Sequence, residues 1–140
     1  MLTAEPLRLA DRILFLGEIP DRLPFEAPAP GADTFADDSG IALSTEEGLV
    51  LLSGCAHAGI CSIVSLAQRL TGEGRLRDVV GGLHLLGPSE SRLAATVSFF
   101  AGRAPVSLHP CHCTDFATRC ALARAAPIGE VGVGLVLEYA

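Results

Sequence analysis

An apolar strand, a short loop and an amphipathic helix follow one another three times along this chain. The strands are predicted at 49–53, 78–82 and 105–109. The helices that follow them are predicted over 60–72, from a Ser89 cap, and from a Thr114 cap to about Pro127. This alternation is typical of an α/β fold, in which a layered sheet carries helices and the loops after the strands share one edge.

Other segments extend the expected sheet. Short strands are predicted at 12–17 and 131–138, and 41–45 should form a hairpin with the 49–53 strand across the three-residue loop Glu46-Glu47-Gly48. Prolines recur through 18–40, which predicts an irregular connector. The 140 residues are expected to form one domain.

Composition excludes several classes of protein. With 49% hydrophobic and 19% charged residues the chain is expected to fold, and its net charge of −6, with no Lys at all, disfavours nucleic acid or an anionic membrane as a partner. No apolar run approaches the ~20 residues of a bilayer span. The N-terminal residues lack the pattern of a secretion signal, and the five Cys are an odd number near His, so we expect reduced thiols and a cytoplasmic location.

The four histidines are placed unusually. His57, His84 and His112 each follow a predicted strand within a few residues and precede a predicted helix. Because such loops meet at one edge of an open α/β sheet, the three imidazoles are expected to converge, as a site for zinc or another divalent metal requires. His109 lies at the end of the third strand and is interpreted as structural.

The thiols and carboxylates leave alternatives open. Cys111 and Cys113 flank His112, and Cys55 lies two residues before His57. The simplest interpretation is that these are small buried thiols. The alternatives are a structural Cys/His zinc site and a Cys nucleophile that His57 or His112 activates. Asp38, or its neighbour Asp37, is interpreted either as an acceptor for a metal-binding His or as part of a solvated turn.

Five blocks of sequence occur in an order found in a known family. They are Gly17-Glu18-Ile19-Pro20, Asp37-Asp38, Gly54–Ile60, Gly81–Leu85 and His112–Thr114. With them, the chain resembles the metallo-β-lactamase superfamily, and within it the branch of 7,8-dihydropterin-6-methyl-4-(β-D-ribofuranosyl)aminobenzene-5′-phosphate synthase.

The resemblance implies roles for individual residues. It implies that His57 and His112 are metal ligands, and that His84 binds metal or contacts substrate. It implies two divalent ions, zinc or else manganese or iron, and it gives Asp38, Cys55 and Thr114 supporting or substrate-contacting positions. No catalytic acid or base is assigned.

One departure from the family is large. The superfamily's His-x-His-x-Asp-His motif occurs nowhere in the sequence. The chain therefore resembles the C-terminal half of the αββα sandwich, a mixed sheet with helices on one face, whose inner face would be an exposed apolar patch if left bare. We expect either a fragment, a chain that pairs with an N-terminal half-domain or with a second copy, or a degenerate module.

The functional expectation follows from this resemblance. It implies a hydrolase-like enzyme in which a metal-activated water or Lewis acid acts on a phosphorylated or ester small molecule. The chain alone is expected to be inactive without the N-terminal half. The alternatives are a non-catalytic binding or assembly module, and a thiol enzyme that uses Cys55 or Cys111.

Overall fold

The computed structural model describes residues 3–140 and is built around one mixed β-sheet. Its six strands are β1 (Leu7–Ala10), β2 (Ile13–Phe15), β3 (Gly40–Thr45), β4 (Gly48–Ser53), β5 (Leu76–Gly82) and β6 (Ser107–Cys111). They lie side by side in chain order. The strands from β1 to β4 pair antiparallel, whereas β4, β5 and β6 run parallel.

Three helices cover one face of this sheet. They are α1 (Ile60–Thr71), α2 (Glu90–Arg103) and α3 (Phe116–Leu122). Alternate residues of the central strands, including Leu49, Leu51 and Val79, form one buried cluster with the inward faces of these helices. The predicted α/β class, with a mixed sheet and helices on one face, is confirmed.

The hairpin between β3 and β4 differs in detail from the prediction. Its turn contains only Glu46 and Glu47, and Gly48 already pairs with Thr45 as the first residue of β4. Gly48 has a φ angle of 125°, and a Cβ there would lie 2.8 Å from the Arg75 carbonyl oxygen, so both the backbone conformation after the turn and close packing favour glycine. The prediction of a three-residue loop was wrong.

Two further predictions were wrong. Asp115, not Thr114, caps α3, because its carboxylate accepts the Thr118 N–H at 2.7 Å. The segment 131–138 forms no strand. Its alternating pattern suits a strand, but a strand also needs a neighbour to accept its backbone hydrogen bonds, and the segment pairs with none of the described strands.

The connector between β2 and β3, residues 16–39, contains no helix or strand. One of its side chains anchors the N-terminus of α1. The buried Glu26 carboxylate accepts the backbone N–H groups of Cys61 at 3.0 Å and Ser62 at 2.7 Å, and also the Ser62 hydroxyl at 2.6 Å. The N-cap residue Gly59 has no side chain to do this, and a Cβ there would collide with Glu26. A distant carboxylate therefore replaces a local helix cap.

The face of the sheet opposite the helices is apolar. Leu43, Val50, Leu52 and Val80 line a groove of about 420 Å³ on this face, together with residues of the C-terminal segment 131–139. Leu52 remains 38% exposed on this face. Among residues 3–140, no helix has the length and apolarity that a bilayer span requires.

Candidate metal centre

The three parallel strands end at the same edge of the sheet, and each is followed by a loop that carries a predicted ligand. His57 follows β4, His84 follows β5 and His112 follows β6. In parallel strands the carboxyl ends coincide, so the loops meet.

The structure brings two of the imidazoles into direct contact. The rings of His57 and His84 meet edge to face with centroids 4.6 Å apart. Their ligand nitrogens and the Cys55 sulfur all lie within 4.8 Å of one another. Cys55, His57 and His84 are called triad A below.

His112 belongs to a different group. Its ligand nitrogen lies within 4.8 Å of the sulfurs of Cys55 and Cys113, which lie within the same distance of each other. Cys55, His112 and Cys113 are called triad B. The three imidazoles therefore do not form one triad, and Cys55 is the side chain that the two groups share.

The two thiols are in close contact. The Cys55 Sγ donates a hydrogen bond to the Cys113 Sγ at 3.0 Å, and the Cys113 thiol donates to the Cys55 carbonyl oxygen at 3.3 Å. The backbone N–H of His84 donates to the Cys113 Sγ at 3.1 Å. Burial, followed by the nearby Cys113 and Asp38, raises the pKa of the Cys55 thiol to about 11.

The backbone is unusual at the same positions. Ala56, His84 and His112 have positive φ angles of 56°, 53° and 52°, a region that non-glycine residues rarely adopt. Such conformations cost of order 1–3 kcal/mol each and tend to cluster at functional sites.

Gly82 allows the loops to approach one another. A Cβ at this position would lie 2.6 Å from the Gly54 carbonyl oxygen and 2.7 Å from the Cys113 sulfur. Only glycine therefore fits between the loops after β4 and β6 without displacing them.

The two predicted supporting polar residues bind backbone rather than a histidine. Asp38 accepts the Ala58 N–H at 2.7 Å, which holds the loop between β4 and α1. Thr114 accepts the Leu83 N–H at 3.1 Å, which joins the loops after β5 and β6. Both residues position the loops that carry the ligands.

Aromatic and electrostatic contacts act on the histidines of triad A. The Phe35 ring lies 5.0 Å from the His57 ring, and the Arg22 guanidinium lies 5.9 Å above Phe35. Burial and the neighbouring His57, with a smaller contribution from Arg92, lower the pKa of His84, although Asp38 opposes the change. A lowered pKa favours the neutral imidazole, which is the form that binds metal.

His109 lies outside both triads. Its Nδ1 is 2.7 Å from the buried carboxylate of Asp78, which also accepts the Tyr139 hydroxyl at 2.9 Å. These contacts lie on the sheet face opposite the helices and hold the C-terminal segment.

The sequence indicated Cys113 only as part of an alternative structural Cys/His zinc site, and the predicted metal ligands were the three histidines. The position of Cys113 next to His112 was the available signal, but the sequence alone could not show that its sulfur turns toward Cys55. Three imidazoles and two thiols from three loops form a donor set that suits Zn²⁺ and related ions, since these accept nitrogen and sulfur ligands. The side chains present therefore fit a divalent metal of this kind.

The chain is similar in sequence to known proteins. No family model matches the chain. It is 33% identical over 129 residues to 7,8-dihydropterin-6-methyl-4-(beta-D-ribofuranosyl)-aminobenzene-5′-phosphate synthase of Methanocaldococcus jannaschii, in an alignment that covers 83% of this chain and 44% of that protein. An uncharacterised protein of the same organism is 34% identical over 67 residues, which cover 48% of this chain and 25% of that protein. The chain thus spans less than half the length of these curated relatives.

A solved structure extends the comparison to the fold. The crystal structure of a metal-dependent hydrolase of the beta-lactamase superfamily matches with a TM-score of 0.83 and 27% identity, over 99% of this chain and 57% of that one. The matched region is thus little more than half of that chain, as expected if this chain corresponds to one half of the αββα sandwich. Together, the sequence relative and the solved structure support the metallo-β-lactamase superfamily for this chain, whose sequence resembles the dihydropterin-phosphate synthase branch.

Proposed function

We propose that this chain provides part of the metal centre of a hydrolase-like enzyme that acts on a phosphorylated or ester small molecule. The observation that carries the proposal is the convergence of ligand-type side chains from three strand-end loops. The metal-dependent hydrolase of similar fold supports the same reaction class. Zinc fits the donor set best, with manganese or iron as the other candidates, and we propose two ions in the complete centre.

The residues of the chain would hold and orient the metal. The imidazoles of triad A would provide two nitrogen ligands, and the Phe35 ring packs against the His57 ring. Asp38 and Thr114 fix the loops through backbone N–H groups. A divalent ion bound there supplies Lewis acidity, which lowers the pKa of a bound water and polarises a phosphoryl or carbonyl oxygen.

Turnover is expected to need more than this chain. Neither triad, as found among the described residues, contains a carboxylate that could act as a general base. We therefore propose that an N-terminal half-domain completes both the ligand set and the catalytic acid or base. The thiols could serve beside the metal only in reduced form, so the proposal includes a reducing, cytoplasmic setting.

Metal analysis of the purified chain tests the proposal. The wild-type protein should bind Zn²⁺, and the double variant His57→Ala, His84→Ala should lose at least one equivalent. His109→Gln is the matched control, since that histidine lies outside both triads, and it should retain the metal. Metal content that is unchanged in the double variant, with an unchanged circular dichroism spectrum, would refute the assignment.

A second candidate function is a non-catalytic binding or assembly module. The apolar sheet face opposite the helices favours it. Leu52 remains exposed on that face, and Val133 and Val136 remain exposed in the C-terminal segment beside it. Adding an N-terminal half-domain from the synthase relative separates the two functions. A complex that hydrolyses bis(p-nitrophenyl) phosphate indicates the enzyme, and one that assembles without turnover of phosphate or carboxylic esters indicates the module.

A further inference from the structure

The position of His112 separates two metal positions at the edge of the sheet. Its ring does not join His57 and His84 but faces the sulfurs of Cys55 and Cys113. A site built from imidazoles alone would need no thiols, yet two cysteines from different loops meet here. Cys61, by comparison, is buried within α1 and belongs to the hydrophobic core.

We infer that triad B is a second, thiolate-rich metal position, which takes a thiophilic divalent cation such as Zn²⁺ and shares the Cys55 sulfur with triad A. This inference rests on the proposed function, since it divides the same centre into two positions. Imidazole and thiolate ligands together select Zn²⁺, Cd²⁺ or Co²⁺ over Mg²⁺ or Ca²⁺.

The distances require only small movements. With Zn–S bonds of about 2.3 Å, tetrahedral coordination separates two sulfurs by about 3.8 Å. The sulfurs of Cys55 and Cys113 are 3.0 Å apart, so they would have to move apart by less than about 1 Å. The observed distance is also well above the ~2.05 Å of a disulfide, and both thiols are free.

The surroundings of Cys113 suit a thiolate bound to a cation. Its sulfur is buried and accepts the backbone N–H of His84, a hydrogen bond that strengthens when the acceptor is charged. Binding of one ion releases a proton from each thiol to the solvent, and the two thiolate charges balance the charge of the ion. A neutral group of this kind can be buried at lower cost than an isolated charge.

The strained backbone at His112 supports the same position. His112 lies between Cys111, the last residue of β6, and Cys113 in the following loop, and it has a positive φ. In this conformation its ligand nitrogen and the Cys113 sulfur both lie close to the Cys55 sulfur. Gly82 leaves the space that Cys113 occupies. Both features are local costs that an ordinary buried thiol would not require.

Titration of the full chain with Co²⁺ and Cd²⁺, in a thiol-free reductant, tests the inference. We expect two ions per chain and a thiolate-to-metal charge-transfer band in the ultraviolet. Cys113→Ser should reduce the stoichiometry to one ion and weaken binding at triad B by more than roughly 100-fold, since removal of supporting groups alone costs 10–100-fold. Cys120→Ser, at an exposed thiol outside both triads, is the control and should bind as the wild type does.

The outcomes distinguish the inference from the proposed function. If ions bind through the imidazoles but no charge-transfer band develops in the wild-type chain, triad B is not a metal position and the proposed function stands. A band and stoichiometry that survive in Cys113→Ser also overturn the inference. If neither ion binds to the folded wild-type chain, the proposed function fails together with the inference. The wild-type stoichiometry does not depend on whether any variant folds, and a single ion per folded wild-type chain would also overturn the inference.

Discussion

Removal of the Glu26 carboxylate should destabilise the whole fold, although this residue lies in an irregular connector. The carboxylate accepts two backbone N–H groups and one hydroxyl at the start of α1. Since α1 packs on the centre of the sheet, the loss of its N-terminal anchor affects the main core rather than a peripheral loop. We therefore expect Glu26→Ala to lower the free energy of unfolding.

The magnitude follows from these contacts. A hydrogen bond to a charged group contributes about 1.5–3 kcal/mol, and replacement of an N-cap costs about 0.5–2 kcal/mol. Water can reach part of the space that the substitution opens and compensate some of the lost bonds. We expect a net loss of about 3 kcal/mol, from the hydrogen bonds together with the favourable position of a negative charge at a helix N-terminus.

Urea unfolding followed by circular dichroism measures this loss, because the chain has no Trp to report by fluorescence. Glu130→Ala, at an exposed glutamate, is the control and should change stability by less than about 0.5 kcal/mol. A loss below about 1 kcal/mol in Glu26→Ala would refute the view that the connector caps α1. The loss of stability in Glu26→Gln should lie between those of Glu130→Ala and Glu26→Ala, since glutamine keeps the shape of the side chain and removes its charge.

Two further predictions concern Gly82 and the single tyrosine. Gly82→Ala should lower the free energy of unfolding by about 1–3 kcal/mol and weaken Zn²⁺ binding, because the new Cβ would collide with the Cys113 sulfur. Gly74→Ala, where the Cβ meets open space, is the control and should leave stability and Zn²⁺ binding unchanged. Equal behaviour of the two variants would contradict the prediction. Ultraviolet titration should show the Tyr139 pKa above its ordinary value of about 10, because burial and the hydrogen bond to Asp78 disfavour the phenolate. That stabilisation is present below pH 10 and is lost as pH rises further, so wild-type stability should fall toward that of Tyr139→Phe in alkali; an ordinary phenol midpoint would refute it.

The sequence predicted the central part of the fold because its patterns there are local. The strands that became β4 and β5 are short and mostly apolar and have glycines at or just after their ends, and the helix that became α1 repeats its apolar residues at helical spacing. In contrast, β1 was missed, since its four exposed residues, Leu7–Ala10, lie at the edge of the sheet and bury nothing that periodicity could reveal. The segment 131–138 shows the opposite error, where a correct period lacks a neighbouring strand.

The site was predictable to the level of loops but not of side chains. That three histidines follow three parallel strands can be read from the sequence, and topology then brings their loops to one edge. The division into two triads depends on which way each histidine ring turns from its loop, and the spacing of the histidines in the sequence does not determine this. The contact between Cys55 and Cys113 likewise depends on how two loops pack, which sequence spacing does not determine.

The antiparallel part of the sheet explains how a residue outside the parallel strands reaches the site. Because β3 runs antiparallel to β4, its first residue, Gly40, pairs with Ser53 at the end of β4. Asp38 lies two residues before that pair, so it arrives at the same edge as His57 and can bind the Ala58 N–H. The end of β2 lies beside the start of β3, so the connector leaves and returns at this edge as well. A change in the register of the hairpin by two residues would thus move Asp38 away from the loop it holds while leaving the parallel strands and their histidines in place.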